Sequence, residues 1–110
     1  MATVPKPRVG ARKQAHCKQN STKRPEVDPG KIHLSKGLNE EVEWISSGGR
    51  YTLRFEPDAS PFHRSEYHVT PSAPVPSGPI REDAAEDKSY KYSITDEKGE
   101  TTDPEIIIDK

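Results

Sequence analysis

The sequence predicts an all-β protein, a small β-sandwich. Short runs in which apolar and polar residues alternate with period two are typical of half-buried strands. Hydrophobic residues are only 29% of the chain, and 11 prolines and 7 glycines interrupt it often. No stretch carries the apolar stripe of an amphipathic helix. With 110 residues, the chain forms at most one ordinary domain.

Two runs of alternating apolar and polar residues predict the first strands. A turn signal at 28–30 precedes an alternation over 31–34, whose isoleucine and leucine share one face. Residues 41–44 read E-V-E-W. Period two places this valine and tryptophan inward and both glutamates in water.

The clearest alternation in the chain covers 50–55. Tyr51, Leu53 and Phe55 share one face of the predicted strand, and polar residues share the other. The glycines in the preceding segment, 47–49, tolerate a positive φ, which favours a tight connection.

The second half of the chain is less regular. Six prolines between residues 57 and 79 exclude long regular elements there, apart from a short strand at 66–69. An alternating strand is expected at 89–95, followed by a hairpin turn at 96–99. The β-branched run at 104–109 predicts a last strand with isoleucines buried on both faces. Five or six strands at this spacing predict a sandwich or a barrel.

Residues 1–26 are predicted to be a flexible basic tail in front of a domain at 27–110, because they contain few large apolar side chains. Residues 1–25 carry seven basic residues and no acid: Lys6, Arg8, Arg12, Lys13, Lys18, Lys23 and Arg24. The remainder has a net charge of −8, from ten basic and eighteen acidic residues. Such an arm can contact phosphate or another anionic surface, fold back on its own acidic domain, or keep the chain soluble.

The order of these signals resembles that of the cupredoxin family. A glycine turn at 36–37 precedes a V-x-W strand at 42–44, a short turn and Tyr51-Thr52-Leu53, and Tyr90-Lys91-Tyr92 later leads into the last strand. The resemblance covers about 27–110 and implies a Greek-key β-sandwich of two sheets.

The family's copper ligands do not carry over. Tyr51 stands where the resemblance implies a histidine, and Ser93 or Ile94 where it implies a cysteine. The loop 95–103 has no histidine or methionine. Since type 1 copper requires a thiolate and two imidazoles, we expect no such centre and no cofactor.

Two other sets of side chains are candidates for metal-binding sites. His63, Glu66 and His68 are close in the sequence, and imidazole with carboxylate suits several divalent ions. The spacing matches no established metal motif. A calcium cluster is conceivable at four acids, although the D-x-D-x-D-G order is missing: Asp96, Glu97, Glu100 and Asp103.

Cys17 is the single cysteine, so no intramolecular disulfide can form. Its neighbours Lys13 and Lys18 favour the thiolate, which makes a reactive thiol an alternative to an inert one. No nucleophile motif or phosphate-binding loop is present. The sequence therefore favours a protein that is not an enzyme.

Three functional hypotheses follow. The first is a cupredoxin-like binding or interaction domain without type 1 copper, which contacts a protein partner through its loops or a sheet edge. The second is a module that contacts anions or nucleic acid through the basic residues of 6–24. The third is a divalent-metal protein that uses the loop histidines. With no apolar run long enough for a membrane span and no apolar segment after the N-terminal basic residues, a cytoplasmic location is expected.

Overall fold

The structure, a computed structural model, describes residues 11–110, and these residues form an all-β fold. A single short 3-10 turn, Pro57–Ala59, is the only helical element in the described part of the chain. The strands are β1 (Arg12–Gln19), β2 (Pro25–Asp28), β3 (Lys31–Ser35), β4 (Glu41–Ser46), β5 (Tyr51–Arg54), β6 (Glu66–Val69), β7 (Val75–Pro76), β8 (Lys88–Lys91), β9 (Ser93–Thr95), β10 (Thr101–Thr102) and β11 (Glu105–Asp109).

The strands form three sheets, with orders β2-β1-β4-β7, β10-β9-β5-β6 and β3-β11-β8. Two pairs are parallel, β1 with β4 and β3 with β11, and the others are antiparallel. The all-β class is confirmed, and each strand expected after residue 30 has a counterpart. No helix between residues 11 and 110 has the length and apolar character to cross a membrane.

The prediction of a flexible tail at 1–26 is wrong from residue 12 onward. β1 lies between β2 and β4 in the first sheet, and Ala15 and Cys17 are buried on its inner side. The alternation was hidden because small residues carry it, while the intervening positions are charged or polar. Hydrogen bonds along both edges hold the strand despite this limited apolar area. Residues 1–10 of the expected tail lie outside the described residues.

Five aromatic rings form the centre of the core. The Trp44 ring centroid lies 4.8 Å from Tyr67 and 5.8 Å from Tyr92, while Phe55 stacks on Tyr92 at 4.7 Å. Phe62 meets Trp44 edge-on at 6.3 Å. Trp44 Nε1 donates a hydrogen bond to Tyr92 Oη at 3.2 Å, so the buried polar atoms of these rings are paired.

Alternation at 51–55 is confirmed, since Tyr51, Leu53 and Phe55 are all buried. The expectation that both glutamates of 41–44 face water is wrong for Glu41, which is only 2% exposed. Its carboxylate bonds to Arg12 Nε at 2.6 Å. A buried charge requires such a partner.

The expectation that the last strand buries isoleucines on both faces is also wrong. Ile106 and Ile108 are fully buried, but Ile107 on the opposite face is only partly buried. The third sheet therefore has one packed face and one face that meets solvent.

The turns expected at 47–49 and 96–99 are confirmed. Gly49 has φ +86°, a conformation that favours glycine, between β4 and β5. The Gly99 amide donates to the Asp96 carbonyl at 3.1 Å in the turn that joins the antiparallel strands β9 and β10.

Candidate functional site

Aromatic and aliphatic side chains fill the positions where the cupredoxin resemblance implies copper ligands. Tyr51 is 3% exposed, and its hydroxyl is hydrogen-bonded to Gln19. Burial raises the Tyr51 pKa above its ordinary value of 10.0. Ile94 is fully buried and Ser93 is partly buried. This donor set does not fit type 1 copper, which needs thiolate sulfur and imidazole nitrogen.

Cys17 is a core residue. Its side chain is 1% exposed, and removal from water raises the thiol pKa from 9.0 to about 12. The alternative of a reactive thiol is therefore wrong. Burial outweighs the influence of the nearby lysines because both lysine side chains are exposed and their ammonium groups lie near carboxylates.

The three residues of the proposed divalent-metal site do not converge. Glu66 and His68 lie on the same face of β6, with Oε2 and Nε2 2.9 Å apart. Arg54 also pairs with Glu66, at 2.8 Å, and its hydrogen bond and charge lower the Glu66 pKa. His63 instead lines a cleft beside Arg81. Within residues 11–110, no three His, Cys, Asp or Glu side chains are arranged to hold a metal ion.

Asp96, one of the acids considered for calcium, takes part in a turn. Asp96 Oδ1 accepts the amide hydrogens of Lys98 and Glu100, each at 2.9 Å, and Oδ2 accepts from Gln19 at 3.1 Å. Burial alone would raise the Asp96 pKa, but these hydrogen bonds lower it. The carboxylate stabilises the β9–β10 connection.

Basic residues of the expected tail contact the acidic side chains of the domain. Arg12 pairs with Glu41, and Lys13 lies 3.6 Å from Glu40. Lys18 similarly lies near two β2 carboxylates. These contacts match the alternative in which the basic segment folds back on its own domain.

The remaining basic residues of that segment have other positions. Arg24 donates to a backbone carbonyl at 3.0 Å. Lys23 has φ +62° in the turn between β1 and β2. Lys6 and Arg8 lie outside the described residues.

The outer edges of the sheets differ in how their backbone groups are satisfied. At the meeting of β2 and β10, Arg24 donates to the Thr101 carbonyl, and Thr102 Oγ1 donates to the Pro25 carbonyl at 2.5 Å. These side chains join the first and second sheets. They also occupy acceptors that an added strand would need.

The β3 edge is covered by a lysine and a glutamate. Lys13 Nζ donates to the His33 carbonyl at 2.6 Å. Glu40 accepts the Ser35 amide hydrogen through Oε1 at 2.7 Å, and its own amide donates to the Ser35 carbonyl at 3.1 Å. This edge therefore has few groups left to pair with another chain.

On the opposite side, β6 and β7 follow one another and are in contact. An antiparallel bridge between Thr70 and Ala73 joins them. Pro74 and Pro76 supply no N–H along β7. Proline on an edge strand prevents regular pairing with a further strand.

β8 has an open edge. Tyr92, which follows β8, donates its backbone N–H to the Pro104 carbonyl at 3.0 Å. Tyr90 is two residues earlier in the same register, so its backbone groups also point toward β11. Backbone groups alternate in an antiparallel pair, so those of Ser89 and Lys91 point away from β11. Neither residue has a backbone partner on that side among residues 11–110.

Two shallow clefts adjoin this edge. One has a volume of about 270 Å³ and is lined by Arg54, Glu56, Lys91, Tyr92, Ser93 and Asp103. The other, of about 170 Å³, includes Lys88 and Tyr90. The open backbone of β8 thus lies between spaces that side chains of an added segment can enter.

Charges alternate across the solvent-facing side of the third sheet. Glu105 is directly opposite Lys31 on one neighbouring strand and Lys91 on the other. A hydrogen bond from Ser89 and one from Lys31 lower the Glu105 pKa, and the Lys91 charge lowers it further. This row ends at Lys91, at the open edge.

The sequence matches no protein-family model, and it matches no curated protein. Function therefore has to be inferred from the geometry of the chain itself. Sequence reasoning predicted the strand containing β8 but did not identify its open edge. Lys88 and Lys91 were the available signal, because lysine is common on exposed edge strands.

Proposed function

We propose that this chain is a cupredoxin-like interaction domain that binds an extended segment of a partner protein along the edge of β8. The order of β4, its glycine turn and β5 follows the V-x-W and Tyr51 signals of the resemblance. Two parallel strand pairs within an otherwise antiparallel fold are compatible with a Greek-key sandwich. The domain has a binding role and no catalytic one.

One observation carries this proposal: the outward N–H and C=O groups of Ser89 and Lys91 have no backbone partner in the described chain. A strand placed beside β8 would satisfy these groups and extend the third sheet. Main-chain hydrogen bonds give affinity in this mode, and pockets for alternate side chains give specificity. The clefts beside Lys91 and Tyr90 are placed for that second role.

The contrast with the other edges supports a binding role for β8. Salt-bridged side chains, backbone contacts or prolines cover the edges at β2, β3 and β7. Proteins commonly cover edges in these ways to avoid uncontrolled pairing. An edge left open in a molecule that covers others is consistent with regulated pairing to a specific partner.

Variants of one residue separate main-chain pairing from side-chain contact. Ser89→Pro removes the outward N–H and leaves the bonds from Tyr90 to β11 in place. Ser89→Ala removes only the hydroxyl, which bonds to Glu105, and is the matched control. Lys91→Pro repeats the first change at the second open position.

A phage-displayed library of short peptides, selected on the wild-type domain, provides the test. We expect selected peptides to bind Ser89→Ala but to lose most of their binding to Ser89→Pro and Lys91→Pro. Circular dichroism verifies that each variant is folded. If the proline variants do not fold, bound peptide must instead slow amide exchange at Ser89 and Lys91 of the wild type.

Three results would contradict the proposal. They are failure to select any peptide, undiminished binding to the folded proline variants, and peptide binding without slower exchange at β8. In the last case the bound surface lies elsewhere on the domain.

The other two hypotheses have less support. Phosphate binding requires unpaired cations, but Arg12, Lys13 and Lys18 already face carboxylates. Glu66 and His68 are adjacent, yet Arg54 occupies the carboxylate that a divalent ion would need.

A further inference from the structure

We infer that the segment that pairs with β8 carries an acidic side chain opposite Lys91. This inference rests on the proposed function and specifies the chemistry of its partner. It comes from the row of side chains that crosses the solvent-facing side of the third sheet and from the position at which that row ends.

The row begins with an ion pair and ends with a lysine that has space beside it. Lys31 Nζ lies 3.3 Å from Glu105 Oε1. Lys91, on the other side of Glu105, acts on the carboxylate only at longer range. Opposite charges directly across a strand pair stabilise it, and like charges destabilise it. A fourth strand therefore continues the row best with a glutamate or aspartate.

The adjacent row has a different character. Ile107 lies between His33 and Ser89. It is partly buried on the solvent-facing side of the sheet. The partner residue next to Ser89 thus meets a small hydroxyl close to a β-branched aliphatic group, which suits threonine or valine. The two rows predict a segment in which an acid and a β-branched residue lie two positions apart, on the same face of the strand.

A second copy of this chain fits the edge less well. Pairing two β8 strands about a two-fold axis would bring Lys88 and Lys91 of one copy near the same lysines of the other. Neither lysine is part of an ion pair in the described chain that would offset this repulsion. Lys88 Nζ instead lies 5.0 Å from the Tyr90 ring centroid. The charges therefore favour a different, acidic partner.

Tethering allows a weak segment to be studied. An alternating Thr/Glu segment is attached after Lys110 through a flexible Gly/Ser linker, which makes docking intramolecular and raises its effective concentration. Alternate residues of a strand lie on one face. All glutamates of the attached segment therefore lie on one face. In the pairing registers that test the inference, this is the face of the sheet that carries Lys91. Matched fusions carry Gln or Lys in place of every Glu.

Amide hydrogen exchange at Ser89 measures docking in each fusion. We expect the Glu segment to dock about two- to fivefold more strongly than the Gln segment, the scale of a cross-strand charge pair. The Lys segment should dock least. In Lys91→Glu, the order of the Glu and Lys segments should reverse.

The outcomes distinguish this inference from the function on which it rests. Equal docking of the Glu, Gln and Lys segments would overturn the acidic preference but leave strand addition intact. A Glu preference that persists in Lys91→Glu would also overturn it, because the preference would arise elsewhere. Absence of slowed exchange in every fusion would contradict both proposals.

Discussion

Arg12 Nε lies 2.6 Å from Glu41 Oε2, and this ion pair joins the start of β1 to the start of β4. The other oxygen of the carboxylate accepts the Gly78 amide hydrogen at 2.9 Å. A segment expected to be a tail thus supplies the counter-charge for a buried glutamate. This contact makes β1 part of the folded domain.

Arg12→Gln is therefore expected to lower the free energy of unfolding, because it leaves the Glu41 charge without its cation. Lys18→Gln is the matched control, since its partner carboxylates are substantially exposed. Urea unfolding followed by Trp44 fluorescence measures both. In a double-mutant cycle with Glu41→Gln, the two changes should not be additive. Equal midpoints for Arg12→Gln, Lys18→Gln and wild type would contradict a structural role for the pair.

The Cys17 thiol is expected to be inert in the native protein. With its pKa raised to about 12 by burial, only about one molecule in ten thousand carries the thiolate at pH 8. An aromatic disulfide reagent should react fully in guanidinium chloride but hardly at all without it. Native reaction at a rate close to that of the unfolded chain would mean that β1 is open to solvent.

Two neighbouring isoleucines test which side of β11 is packed. Ile106→Val removes a methyl group from a fully buried side chain and should cost about 0.5–1.5 kcal/mol of stability. Ile107→Val makes the same chemical change on the solvent-facing side and should cost clearly less. Denaturant unfolding compares them directly. Equal losses would show that the outer face is also covered.

Stability should fall in acid. The pKa of Glu105 is lowered below its ordinary 4.5 by the Ser89 hydrogen bond and then by Lys31. The pKa of Asp83 is lowered by Arg81. A lowered folded-state pKa gives stability that is complete above the unfolded-state value and is lost as pH falls through the folded-state value.

The thermal midpoint is thus expected to be nearly constant above pH 5.5 and to decrease below about 4.5. Glu105→Gln should reduce that decrease, whereas Glu86→Gln, at an exposed position, should leave it unchanged. An identical acid response in all three proteins would contradict the assigned role of Glu105.

The strands that were predictable from sequence are those with large side chains in period two. Tyr51, Leu53 and Phe55 identify β5 without any knowledge of the partner strands. β1 was missed because Ala15 and Cys17 are small, and because its stability comes from pairing with β4, about thirty positions away. Local patterns contain little information about such long-range pairing.

The candidate site was less predictable than the fold. The sequence places Lys91 on a strand that is expected to begin just after Lys88, but the edge of this strand is open only because of where β11 and the neighbouring loops lie. Similarly, the adjacency of Glu66 and His68 was predictable from strand periodicity, whereas the competing contact of Arg54 depends on the β5–β6 register.

Amide hydrogen exchange of the free domain, resolved by NMR, is the most direct test of the open edge. Tyr90 should exchange about a hundredfold more slowly than Ser89 and Lys91, because its N–H faces β11 while theirs face solvent. Comparable protection at all three amides would mean that another part of the chain already covers β8, and strand addition there would be excluded.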